Sequence, residues 1–210
     1  MSNVKRRLAT ILATDCVGFS KHMTENEELT LDNLKACRLI IDPLIEEYGG
    51  RIFYTAGDSV IADFSSPVEC VNAAIRFQKS IADRNNTLNQ ESQLVWRVGI
   101  HLDDVIIEGD NIYGNGVNIA ARLEAQCAPG QILLSRVVQE QVNERINFTI
   151  EAAGTKALKN ISNSYEVFGI AASGGSVIHS DNSEFESDKH KDYKPKIAVL
   201  PFSNMNNDED

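Results

Sequence analysis

Residues 51–64 read RIFYTAGDSVIADF. Two apolar, β-branched runs, Arg51 to Thr55 and Ser59 to Phe64, flank Ala56-Gly57-Asp58, and a glycine in so short a link predicts a hairpin with a tight turn. Both sides of this hairpin carry helical patterns. Upstream, Leu34, Ile41, Ile45 and Tyr48 recur at steps that place them on one helix face. Acidic Glu25, Glu27 and Glu28 suit the positive N-terminus of that helix, and Gly49-Gly50 ends it. Downstream, Ser66 and Glu69 make a capping-box pattern with Pro67 at the first helical position, followed by an apolar face of Val71, Ala74, Phe77 and Ile81. Leu8 to Thr14 and Leu94 to Ile100 read as the outer strands, so the order about the hairpin is β-α-β-β-α-β.

That order is the ferredoxin-like arrangement. Beyond it come a strand from Asp104 to Ile107, a glycine-punctuated loop (Gly109, Gly114, Gly116) and a helix from Val117 to Gln126, broken by Ala128-Pro129-Gly130. A strand (Gln131 to Leu134), a helix (Ser135 to Asn143) and two strands, near Phe148 and from Tyr165 to Ile170, complete the pattern. The expected class is α+β: a ferredoxin-like βαββαβ core with extra C-terminal strands and helix, one domain over residues 1–170. Residues 171–195 are rich in Gly, Ser and Asp and read as a flexible linker. Lys196 to Phe202 then reads as a strand, so residues 196–210 are expected to begin a further domain that the chain truncates.

The 210 residues carry a formal charge of −10, of which −4 falls in residues 171–210. The remaining −6 excludes nucleic acid or an anionic membrane as a partner held by bulk charge. No apolar run approaches the roughly 18–20 residues that span a bilayer. Lys5-Arg6-Arg7 before Leu8 to Ala13 resembles a secretion signal only briefly, because Asp15 closes the run and no cleavage site follows. Cys16, Cys37, Cys70 and Cys127 lack CxxC spacing, so they read as buried free thiols of a cytoplasmic protein. His101, Asp103 and Asp104 are expected in a solvated turn between two strands, and Trp96 in the core.

Two features carry chemistry. Asp15 closes the first strand and Asp58 sits in the hairpin turn. In a ferredoxin-like sheet those strands are neighbours, so the two carboxylates are expected at one edge of the sheet. Singly, each Asp reads as a turn cap; together they repel unless a cation joins them, and oxygen ligands suit Mg²⁺ or Mn²⁺. Asn118 and Arg122, four residues apart, share one helix face; Arg offers a fork for phosphate and Asn a partner for a sugar oxygen. Alone, that pair reads equally as an exposed helix face bound to nothing.

Taken together, residues 13–20 (ATDCVGFS), 48–51 (YGGR), 55–58 (TAGD) and 116–124 (GVNIAARLE) resemble the class III nucleotide cyclase homology domain in order and spacing, over about residues 5–170. The resemblance implies that Asp15 and Asp58, with Cys16, bind two Mg²⁺ or Mn²⁺ ions per site. It places the backbone of Cys16 to Ser20, with Phe19 and Ser20, near the triphosphate. It implies that Asn118 orients the ribose, that Arg122 neutralises charge on the phosphoryl group, and that Lys159 contacts phosphate. It also implies a head-to-tail homodimer, because in this family the metal pair and the Asn/Arg pair of one site come from different subunits. The substrate is then a nucleoside triphosphate, converted to its 3′,5′-cyclic monophosphate and pyrophosphate.

Two positions depart from the family pattern. Tyr54 stands where adenylate cyclases carry a base-reading Lys, and Asn111 where they carry Asp or Thr. Tyr54 is uncharged, and Asn111 both donates and accepts. This pair looks like that of pyrimidine cyclases of bacterial antiphage defence, so the sequence leans to UTP or CTP, with ATP as the alternative. A catalytically inactive nucleotide-binding or dimerisation domain would have to keep all four catalytic residues for no purpose. A polymerase palm would need a basic surface that the net charge denies.

Overall fold

The computed structural model describes residues 5–161 and 163–171. Its elements run β1 (Lys5–Cys16), α1 (Phe19–Glu25), α2 (Glu27–Glu47), β2 (Arg51–Ala56), β3 (Ser59–Phe64), α3 (Pro67–Asn85) and β4 (Trp96–Glu108). They continue through β5 (Asn111–Tyr113), α4 (Asn115–Ala125), β6 (Gln131–Ser135), α5 (Arg136–Val142), β7 (Glu151–Ala157) and β8 (Ser164–Ala171). The strands form one sheet in the order β2-β3-β1-β4-β6-β8-β7, with β5 paired to β4. Among the described residues only β4 and β6 run parallel; every other pair is antiparallel. The α+β class and the βαββαβ core are therefore as the sequence predicts.

The alternation of β1 divides the core. Leu12 enters a large cluster with Ile41 and Ile45 of α2, Phe77 and Ile81 of α3, and Trp96, all essentially fully buried. Ile11 and Ala13 face the other way, against Val105 and against Ala120 of α4. Two faces of one sheet thus bury two sets of side chains, the expected outcome of a period of two. Burial of each large apolar side chain contributes about 1.5–3 kcal/mol.

Helix α4 lies directly on β4. A Cβ at Gly99 would sit 2.2 Å from the Glu124 amide nitrogen and 2.3 Å from the Ala120 carbonyl oxygen, so only glycine admits this approach. A Cβ at Gly116 would meet Asp103 Cβ at 2.5 Å.

Five local expectations need correction. Glu27 and Glu28 stand in the first turn of α2 as expected, but Glu25 ends a separate helix, α1, and Asn26 between them caps α2, its side chain accepting from the Leu29 amide at 3.1 Å. The turn expected at His101 does not exist, because β4 runs unbroken from Trp96 to Glu108. His101 is buried, with Nδ1 2.8 Å from Ser135 Oγ and its ring edge-on to Tyr165. The loop from Gly109 to Gly116 contains β5, and α4 begins at Asn115. Phe148 is exposed and outside any strand; the nearby strand is β7. Ala171 still belongs to β8, and the linker and following domain expected beyond it lie outside the described residues.

Candidate active site

The hairpin turn and the end of β1 bring two carboxylates to one amide. In the β1–β3 register Thr14 faces Val60, which places Asp15 beside the turn that carries Asp58. The Cys16 N–H donates to Asp15 Oδ1 at 3.0 Å and to Asp58 Oδ2 at 3.0 Å. Ser59 Oγ donates to Asp15 Oδ1 at 3.2 Å. On the opposite side Arg97 Nη2 lies 3.3 Å from Asp15 Oδ2.

This crowding alters the acidity of the pair. Burial first, then the hydrogen bond to Asp15 and its charge, push the Asp58 carboxyl up to about 7. Two carboxylates so placed resist joint ionisation, and a divalent cation relieves that cost. Mg²⁺ characteristically uses one or two protein carboxylates and completes its shell with phosphate oxygens and water. The pair therefore fits such an ion, and among the described residues no larger group of His, Cys, Asp and Glu offers an alternative. The Cys16 thiol is pushed up to about 12, by burial first and then by the charge of Asp58, so it stays protonated. Any contribution of Cys16 to a metal comes from its backbone.

The second set stands on α4. Ile119, Ala120, Leu123 and Glu124 are buried against the sheet, while Asn118 and Arg122 are exposed together on the outer face. Within one chain the carboxylates are hydrogen-bonded to Cys16, Ser59 and Arg97, and Asn118 and Arg122 stand apart from them on α4. Lys159 is exposed in the turn between β7 and β8. Ser20 is exposed at the start of α1, whereas Phe19 packs against the main core and offers mainly its backbone. Gly18, at φ 67, occupies the left-handed conformation that lets β1 turn into α1.

Tyr54 and Asn111 are both exposed, on β2 and β5, and these strands touch although the sheet order separates them. Their sequence neighbours Phe53 and Ile112 join one hydrophobic cluster with Ile11, Ala13 and Ala120.

Two polar residues escaped the sequence reading. Arg97 sits between Asp15 and Glu124, with Nε 2.8 Å from Glu124 Oε1 at an ion-pair distance that lacks hydrogen-bond alignment. Burial pushes the Glu124 carboxyl up to about 7, against the opposing charge of Arg97. The alternation Trp96-Arg97-Val98, with both neighbours in the core, was the available signal that Arg97 turns to the α4 side.

Residues 3–171 match the family model for the adenylate and guanylate cyclase catalytic domain. The chain is 35% identical over 207 residues to "Putative adenylate cyclase 3" of Rhizobium meliloti, covering 98% of this chain and 35% of that protein. It thus spans about a third of the length of that relative. Among solved structures, an adenylate/guanylate cyclase/hydrolase from Silicibacter pomeroyi superposes with a TM-score of 0.76 at 34% identity, covering 80% of this chain and 99% of that one. The adenylyl cyclase CyaB from P. aeruginosa shares the fold, with a TM-score of 0.71 at 23% identity over 80% of this chain and 95% of its own. With four-fifths of the sequence matched in order and the same architecture recovered, the chain belongs to the adenylate and guanylate cyclase catalytic-domain family, an enzyme family of lyases.

Proposed function

We propose that the chain converts ATP to 3′,5′-cyclic AMP and pyrophosphate, in a head-to-tail homodimer with two sites. The observation that carries this reading is the convergence of Asp15 and Asp58 on the single Cys16 amide. When bound, two Mg²⁺ or Mn²⁺ ions would acidify the ribose 3′-hydroxyl and offset triphosphate charge. Asp15 and Asp58 would hold those ions, with the Cys16 backbone beside them. Asn118 of the second subunit orients the ribose, and Arg122 neutralises charge on the α-phosphoryl group as it develops. Lys159 and the backbone through Phe19 and Ser20 bind the β- and γ-phosphates. The bond from O3′ to the α-phosphorus forms as the bond from that phosphorus to the bridging oxygen breaks, and the hydroxyl proton leaves to solvent. The chain offers positioning and charge rather than a dedicated side-chain base.

ATP is the preferred substrate because the relative that is 35% identical over 207 residues is an adenylate cyclase in name. A second reading, UTP or CTP, is favoured by Tyr54 and Asn111, which lack the charge of the usual purine readers. A product of that kind would point to second-messenger signalling in antiphage defence. Four free, buried cysteines suit the reducing cytoplasm. No helix among the described residues is long and apolar enough to cross a membrane.

Incubation with ATP, GTP, CTP and UTP separately, each with Mn²⁺, tests this directly by chromatography and mass spectrometry of the product. Cyclic AMP is the expected outcome. Cyclic UMP or CMP alone would assign Tyr54 and Asn111 as pyrimidine readers, and absence of any cyclic product would reject the enzymatic reading.

A further inference from the structure

We propose that Asp103 is a positioning residue: from β4 it seats the first turn of α4, and so sets where Asn118 and Arg122 stand. The inference rests on reading that pair as serving the metal pair of a second chain. Helix α4 starts after Gly114, which has no side chain to cap with, and its first turn, Asn115-Gly116-Val117-Asn118, carries no carboxylate. The positive end of the helix therefore needs a charge from elsewhere. Gly116 is buried, and a Cβ there would lie 2.5 Å from Asp103 Cβ and 3.2 Å from Asp103 Oδ2, so this side chain fills the space under the turn.

The Asp103 carboxylate is itself held in place. Its Oδ1 accepts from the Asp104 amide at 2.8 Å, and its Oδ2 stands 4.0 Å from His101 Nε2. His101 is fixed in turn by Ser135 Oγ at 2.8 Å and by the Tyr165 ring. Burial pulls His101 below its usual 6.5, so at neutral pH it is uncharged and leaves the Asp103 charge to the helix. Asp104 turns to the opposite face and pairs with Arg6 Nη1 at 3.0 Å, so the two adjacent aspartates are not interchangeable. The second anchor of α4 is the press of Ala120 and Glu124 on Gly99, with Glu124 about 12 Å further along the helix than Gly116 at 1.5 Å per residue. Asn118 and Arg122 stand between these anchors on the exposed face. Released at Asp103, the helix pivots on Gly99, and Asn118, next to the lost contact, moves further than Arg122.

The test is pyrophosphate release by full-chain variants and their equimolar mixtures, with Mn²⁺ and the nucleoside triphosphate that wild type turns over. Asp103→Asn keeps the shape and removes the charge; it is expected to lower turnover about tenfold, less than the roughly hundredfold that misplacing a catalytic group by about 1 Å can cost. Mixed with Asp58→Asn, it leaves one intact site in each mixed dimer, so about one quarter of wild-type activity should return. Mixed with Arg122→Ala, it leaves no intact site, because both defects lie on the α4 side, and about one twentieth of wild-type activity is expected. Gly116→Ala, which strikes the same contact from the helix, should sort in the same way. A mere loss of folded chain would treat both partners alike. Wild-type turnover in Asp103→Asn, or equal recovery with the two partners, overturns the proposal. No recovery when Asp58→Asn is mixed with Arg122→Ala would instead overturn the two-chain reading on which it rests.

Discussion

Asp58 combines two demands that conflict in the metal-free protein: it is half-buried, and it shares a hydrogen-bond donor with Asp15. Its carboxyl is raised from 3.8 to about 7, so between these values the folded state keeps a proton that the unfolded state has lost. The stability this contributes is complete below about pH 4 and is lost as pH rises through 7. Glu124, raised from 4.5 to about 7 by burial, acts in the same direction. His101 acts oppositely: burial lowers it from 6.5, so its contribution falls away as the pH drops below that value. Comparison with Asp58→Asn isolates the Asp58 part. Urea unfolding midpoints of the metal-free domain should decline more steeply from pH 5 to pH 8 in wild type than in that variant. Parallel pH profiles would show that Asp58 is not held protonated. Added Mn²⁺ should reverse the wild-type trend above pH 7, since a cation requires the ionised pair.

The elements were legible from the sequence wherever one local rule applied. Ser66 accepts from the Glu69 amide at 3.3 Å with Pro67 opening α3, as the capping pattern indicates, and Gly57 turns the β2–β3 hairpin at φ 60. Reading failed where a distant partner decided the outcome. His101 looks like turn chemistry beside two aspartates, yet Ser135, 34 residues away, satisfies its ring inside the sheet. The meeting of β2 with β5 leaves no local pattern, and the alternation about Arg97 gives its face but not its Glu124 partner, since each depends on elements far apart in the chain. The seating of α4 is equally invisible locally, because Gly99 reads only as a glycine in a strand. Gly99→Ala would drive a methyl group into the backbone of α4. The expected cost is about 1–3 kcal/mol or more from overpacking, read from chemical denaturation, together with a fall in turnover as α4 shifts. A variant with wild-type stability and turnover would mean that α4 does not need this close contact.

At the scale of the whole molecule, the quantity that matters is which residues one chain can bring together. A single chain assembles Asp15, Asp58 and the Cys16 backbone, and it presents Asn118 and Arg122 on an exposed helix face. The motif order in the sequence points to both sets, but the amide that joins the carboxylates required the fold. If a second chain completes each site, two defects placed in different sets must complement one another. The most direct measurement is pyrophosphate release by Asp58→Asn, by Arg122→Ala and by their equimolar mixture. Each variant alone should lose about two to three decades of turnover, the usual consequence of removing one charge-stabilising group. Half of the dimers in a freely exchanged mixture are mixed and hold one intact site, so the mixture should recover about one quarter of wild-type activity. Near-normal turnover in either variant alone, or a mixture as inactive as its components, would contradict the account.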